Sequence, residues 1–259
     1  ELLGYAITPT TAYVGDAIDV TLYWRTRTAL NQDYSVFVHG TDQTGLLQMQ
    51  RDSYPGMGNL PTQRWAPGAI YPDRHRLLIP PTVLAPAVLR IDAGLYAAAT
   101  GARLPHPGGE AIPLGEITVA PRPGEVPNPR RVIFDEKMVL VGFAVNRTAL
   151  APGEALEVAT WWEALQPLEK DYVLFAHLVL PPETVWAQLD QMPQAGAART
   201  STWQPGARIE DRRLLRLPAE APPGAYQLAV GLYDKDTYVR LPVYFDDSAV
   251  VLTQIKVEE

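Results

Sequence analysis

Histidine, carboxylate and tryptophan are the residue types in this chain whose spacing could do chemistry. Of the four histidines, His39, His75, His106 and His177, two share a setting. His39 closes Val36-Phe37-Val38-His39 and is followed by Gln50 and Asp52, while His177 closes Leu174-Phe175-Ala176-His177 and is followed by Gln188 and Asp190. An imidazole near a carboxylate reads either as a polar pair in a ligand groove or as a histidine satisfied by a carboxylate within β-structure. The double occurrence favours the structural reading, because a catalytic pair rarely survives in both copies of a tandem module.

Tryptophan also recurs in a setting that chemistry can use. Trp65 lies in Arg64-Trp65-Ala66-Pro67-Gly68 and precedes Asp73, and Trp203 lies in Thr202-Trp203-Gln204-Pro205-Gly206 and precedes Asp211. An indole on a loop offers a flat apolar face to the C–H surface of a sugar, and a carboxylate beside it takes the hydroxyls. Trp65, Asp73, Trp203 and Asp211 are therefore the candidate ligand-binding residues. In the alternative, each indole caps one end of a β-sandwich and the following Pro-Gly turns the chain.

Other chemistries find little support. With no cysteine the chain has no disulfide, thiol nucleophile or Cys-ligated metal, and neither Gly-x-Ser-x-Gly nor His-Glu-x-x-His occurs. Asp234, Asp236, Asp246 and Asp247 could offer hard oxygens to calcium, but Ala97 and Ala99 stand at the places of Asp234 and Asp236 in the other half of the chain. A charged hairpin tip is the plainer reading, and no catalytic residue, metal or cofactor is expected. The net charge of −7 opposes nucleic acid as a partner.

The elements that position these residues follow from an internal repeat. Gly15, Trp24, Asp33, Phe37 and His39 recur 138 residues later as Gly153, Trp162, Asp171, Phe175 and His177. The same spacing carries Trp65, Pro67, Gly68, Asp73 and Pro80 onto Trp203, Pro205, Gly206, Asp211 and Pro218. Near the end it becomes 137, with Gly94-Leu95-Tyr96 answering to Gly231-Leu232-Tyr233, as one loop deletion would give. Between the copies lies Pro121-Arg-Pro-Gly-Glu-Val-Pro-Asn-Pro129, whose prolines favour an extended, semi-rigid connection. The expected organisation is a first module over 1–120, a linker over 121–130 and a second module over 131–259.

Within each copy the periodicity is two. Ile18, Val20, Leu22 and Trp24 alternate with Asp19, Thr21, Tyr23 and Arg25, and Leu156, Val158, Thr160 and Trp162 alternate with Glu157, Ala159, Trp161 and Glu163. Further strands are expected from Tyr34 and Tyr172, around 77–79 and 215–217, and around 89–95 and 226–232. Gly 19 and Pro 25 in 259 residues exceed the roughly 12% that is usual and supply many turns. The predicted fold is all-β, two tandem antiparallel β-sandwiches of Ig-like or jelly-roll-like type, with a barrel as the other closure. Val139-Leu140-Val141-Gly142 matches Glu1-Leu2-Leu3-Gly4, and 134–138 has no counterpart after Glu1, so a longer parent chain with something upstream is expected.

Leu22-Tyr23-Trp24, Asp33-Tyr34-Ser35-Val36-Phe37-Val38-His39, Pro61-Thr62 through Trp65-Ala66-Pro67-Gly68, and Val230-Gly231-Leu232-Tyr233-Asp234 carry a resemblance. The chain resembles the soluble modules that follow the membrane-spanning part of large bacterial, Chloroflexi-like proteins similar to dolichyl-phosphate-mannose protein mannosyltransferases. The resemblance implies an extracytoplasmic location and an upstream membrane-spanning region in the same parent chain; the preferred reading is a non-catalytic region that binds or positions a glycan or lipid-linked sugar. In that family the transferase chemistry belongs to the membrane portion, so no active-site residue carries over. The second copy departs from the first at Pro181-Pro182-Glu183, which replaces Asp42-Gln43-Thr44-Gly45. A structural spacer or protein-interaction module without sugar affinity is the other function class that fits.

Overall fold

The computed structural model describes residues 1–243 and 248–258. Among these the chain is all-β, with four short 3₁₀ turns and no α-helix. It divides into two compact units, Glu1–Val83 with Ala87–Ala120, and Leu84–Pro86 with Pro121–Glu259. The segment expected as a free connector belongs to the second unit, and its last two residues, Pro129 and Arg130, already open a strand.

In the first unit, β1 (Leu2–Thr8), β3 (Ala17–Arg25) and β6 (Ile70–Leu78) form one sheet in the order β1-β3-β6. The other sheet runs β2-β8-β7-β4-β5, from β2 (Thr11–Tyr13), β4 (Tyr34–Thr41), β5 (Leu47–Ser53), β7 (Ala87–Ala97) and β8 (Ile112–Ala120). In the second unit, β9 (Pro129–Phe134), β10 (Met138–Val145), β12 (Ala155–Ala164) and β15 (Arg208–Arg216) form a sheet in the order β15-β12-β10-β9. Its companion runs β11-β17-β16-β13-β14, from β11 (Ala149–Leu150), β13 (Tyr172–Leu180), β14 (Thr184–Gln191), β16 (Gly224–Asp234) and β17 (Val250–Val257). Both units are sandwich-like.

The period-two pattern decides which face of each strand is inside. Along β3, Ile18, Val20, Leu22 and Trp24 are buried while Tyr23 is exposed. Along β12, Leu156, Val158, Thr160 and Trp162 are buried, and a threonine fits there because the Trp162 indole N–H donates to Thr160 Oγ1 at 2.8 Å. In the second unit one buried cluster draws Leu140, Leu156, Trp162 and Leu215 from one sheet and Leu174, Tyr226, Leu228 and Ile255 from the other. Each such side chain contributes about 1.5–3 kcal/mol by leaving water.

β6 and β15 begin earlier than the sequence indicates, at Ile70 and Arg208. Their first fully buried positions are occupied by charged or polar residues, Asp73 and His75 in one and Asp211 and Arg213 in the other, which interrupt the apolar pattern. No helix among the described residues is long and apolar enough to cross a membrane.

Candidate functional site

The four residues expected to bind ligand lie inside the protein. Trp65 is 6% exposed and Trp203 4%. Each follows a short 3₁₀ turn that tucks the ring inward, where its indole N–H donates to a loop carbonyl, Leu60 at 3.1 Å and Ala198 at 3.2 Å. Trp65 also stacks on Tyr71 with ring centroids 4.7 Å apart. A stacking platform has to be reachable from solvent, so neither indole serves as one.

Asp73 and Asp211 are equally buried. Asp73 accepts the Gly56 N–H at 2.7 Å and Asp211 accepts the Gln194 N–H at 2.7 Å. Those amides belong to turns in which Met57, Gln194 and Ala195 adopt φ of 55°, 52° and 54°, a strained region for residues with a side chain. The carboxylates fasten these turns to the sandwich instead of receiving a ligand. Their second oxygens are occupied too, by His75 Nε2 at 2.6 Å in the first unit and Arg213 Nε at 2.6 Å in the second.

His39 lies 3.1 Å from Asp52 and His177 lies 2.8 Å from Asp190, each between neighbouring strands. The adjoining Phe37 and Phe175 rings lie across the central strands, where a Cβ on Gly94 or Gly231 would come within 2.4 Å of the phenylalanine Cζ. Arg103 and Arg240 cover these rings at 4.4 and 4.5 Å. Arginine, phenylalanine, histidine and aspartate therefore form a brace across three strands in each unit. Among the other acidic candidates, Asp234 accepts backbone N–H groups from Asp236 and Thr237 and pairs with Lys170 at 2.8 Å, while Asp246 and Asp247 lie outside the described residues.

Among the described residues, a surface that can receive a ligand is the outward face of the β15-β12-β10 sheet. Trp161 stands there on β12, between Gly142 on β10 and Glu210 on β15. The next row is Ala144, Ala159 and Arg212, and Glu163 and Arg208 pair on the other side of Trp161. The proline-rich segment 121–127 forms one wall and the outward side chains of β15 the other, enclosing about 900 Å³.

The local sequence explains this arrangement. Prolines at 121, 123 and 127 lack the N–H that a sheet ladder needs, so the segment lies along the sheet as a strap without joining it as a strand. It is tied at its end, where the Phe143 N–H donates to the Pro127 carbonyl at 3.1 Å and the Asn128 amide donates to the Phe143 carbonyl at 2.9 Å. Gly142 makes room for it: a Cβ there would meet Val126 Cγ1 at 2.3 Å and the Pro127 carbonyl oxygen at 2.6 Å.

Trp161 is partly exposed, and its indole N–H makes no hydrogen bond among the described residues. Arg208 donates to Glu163 Oε1 at 3.0 Å, which positions its guanidinium beside the ring, and the largely exposed Arg212 lies 2.5 Å from Glu210 as an ion pair. A flat apolar surface flanked by donors and acceptors is suited to hold a polyol ring. The signal for Trp161 was present in the sequence as an aromatic residue in the polar phase of a strand, which period-two reading assigns to solvent. No family model matches this sequence, and no curated protein shows significant similarity to it.

Proposed function

We propose that this chain is a non-catalytic binding region built from two copies of one Ig-like β-sandwich module, and that it holds a glycan or the sugar of a lipid-linked saccharide in the Trp161 groove. The single observation that carries this reading is the partly exposed Trp161 on the floor of a groove walled by the 121–127 strap and by β15. The tandem organisation draws support from registers that match at the 138-residue spacing: Trp24 faces Tyr71 as Trp162 faces Ile209, and Val20 faces His75 as Val158 faces Arg213. The proposed setting is extracytoplasmic, as part of a larger membrane-anchored, glycosyltransferase-like parent. This rests on the sequence resemblance alone.

A spacer or protein-interaction module is the second reading, favoured by the burial of Trp65 and Trp203 and by the braces present in both units. Tryptophan fluorescence separates the two. Titration of the whole chain with linear oligosaccharides gives a saturable change that Trp161→Ala abolishes while calorimetry shows the fold retained. The absence of any saturable response would leave the spacer.

A further inference from the structure

We infer that the Trp161 groove selects an uncharged saccharide over acidic, phosphorylated or cationic ones, an inference that rests on reading the groove as the glycan site. Its charged lining toward solvent consists of Arg122, Arg208 and Arg212 against Glu125, Glu157 and the half-buried Glu210. A fourth arginine on the lining, Arg213, turns its guanidinium into the sandwich, where Asp211 and the carbonyls of Leu174, Leu189 and Gln191 take it up. With Glu163, which pairs with Arg208 beside the ring, the groove offers an acidic ligand no net positive charge and a cationic one a single excess carboxylate, opposed by the arginines at the ring.

The charges nearest Trp161 are also already spent on one another. Arg208 is hydrogen-bonded to Glu163 and Arg212 lies against Glu210 as an ion pair, so a uronate or phosphate entering beside the indole meets a guanidinium that already has a carboxylate beside it. Drawing that guanidinium away leaves Glu210 or Glu163 beside the incoming anion, and like charges juxtaposed at an interface oppose binding strongly. An ammonium sugar meets the reverse problem at Arg208 and Arg212. A neutral sugar has neither conflict: its C–H face lies on Trp161, and its hydroxyls accept from paired guanidiniums and donate to paired carboxylates without separating them. Glu157, whose carboxylate makes no hydrogen bond among the described residues, adds one acceptor at the rim. The strap sets the width, because Gly142 lets Val126 lie close over the sheet.

Isothermal titration of the whole chain with mannohexaose and cellohexaose as neutral probes, hexagalacturonate as the anionic probe, mannose 1-phosphate as the phosphorylated probe and a glucosamine hexamer as the cationic probe tests the inference. The expected result is saturable heat with a neutral hexaose and binding at least about tenfold weaker for every charged probe. Glu210→Gln, which leaves Arg212 without its partner, is expected to narrow the gap for hexagalacturonate. Tighter or equal binding of a charged probe to the unaltered chain would overturn the selectivity while leaving a glycan site in place. Silence from all five probes would overturn the glycan site itself, and the selectivity with it.

Discussion

In the first unit the outward side of β3 presents Tyr23 opposite Pro72, with Ile70 and Arg25 paired beside it; at the matching place in the second unit Trp161 stands opposite Glu210, with Arg208 and Glu163 paired beside it. The inward rows of the same strands hardly differ, Val20, Trp24 and Leu77 against Val158, Trp162 and Leu215. Packing constrains an inward residue by volume and polarity, because interiors are as dense as organic crystals. An outward residue is free of that constraint: the second unit has a groove beside Trp161, whereas the corresponding face of the first unit mixes Tyr23, Pro72 and Ile70 with the ion pairs Arg25–Glu1 and Arg74–Asp19.

Where the inward rows do differ, polar groups are involved. In the second unit Arg213 bonds Asp211 and three carbonyls, and the Trp162 N–H has Thr160. In the first unit His75 Nδ1 and Trp24 Nε1 are buried without a hydrogen-bond partner among the described residues. Leu22 stands where the second unit has Thr160, which removes the acceptor that the Trp24 indole would use.

The largest effect expected from this contrast is at the buried carboxylates. Asp211→Ala leaves the always-charged Arg213 guanidinium buried and unpaired and is expected to cost about 3–5 kcal/mol. Asp73→Ala is expected to cost about 1–3 kcal/mol, the loss of a buried hydrogen-bond partner for the Gly56 N–H and the His75 ring. Urea unfolding of the whole chain measures both, and equal losses would break the comparison. Thr160→Val comes next: it recreates in the second unit the unpartnered indole of the first, for a loss of about 1–2 kcal/mol by the same measurement.

A smaller, pH-dependent effect is expected at Asp234, which stands where the first unit has Ala97. The Lys170 hydrogen bond, followed by the N–H groups of Asp236 and Thr237, holds its carboxyl well below the usual carboxylate range. A carboxylate depressed in the folded state stabilises above its unfolded pKa, about 3.9, and that contribution fades as pH falls through the folded value. Asp234→Asn should therefore melt below the parent at neutral pH, with the gap closing as the pH falls below about 4. A gap unchanged at pH 2 would contradict this.

Much of the fold was legible because recurring spacing and alternation reinforce each other: residues 138 apart place the same residue types on the same phase, and the phase gives the inward side. Asp73, His75 and Leu77 share one phase, as do Asp211, Arg213 and Leu215, so the burial of both aspartates could be read from their spacing to the leucines. The position of the indoles could not. Trp65 and Trp203 follow loops rich in proline and glycine, where no period says which way a ring turns, and short 3₁₀ turns send them inward. The groove escaped for a different reason. Its wall, 121–127, is brought beside Trp161 by packing between segments distant in sequence, and only Gly142 hints that backbone passes close by.

The smallest stability effect and the sharpest functional one should coincide on the outward row. Trp161→Ala is expected to leave the melting curve nearly unchanged, as does Tyr23→Ala, yet only the former should abolish saccharide binding in calorimetric titration. Loss of binding in the Tyr23 variant would move the site to the other unit.

The most direct measurement uses the indole N–H signals of the six tryptophans in a proton–nitrogen correlation spectrum of the whole chain, recorded during titration with mannohexaose or cellohexaose. The account predicts that the Trp161 signal, assigned by its loss in Trp161→Phe, shifts saturably while those of the buried Trp24, Trp65, Trp162 and Trp203 stay in place. A shift confined to Trp65 or Trp203, or no shift at saturating saccharide, would contradict it.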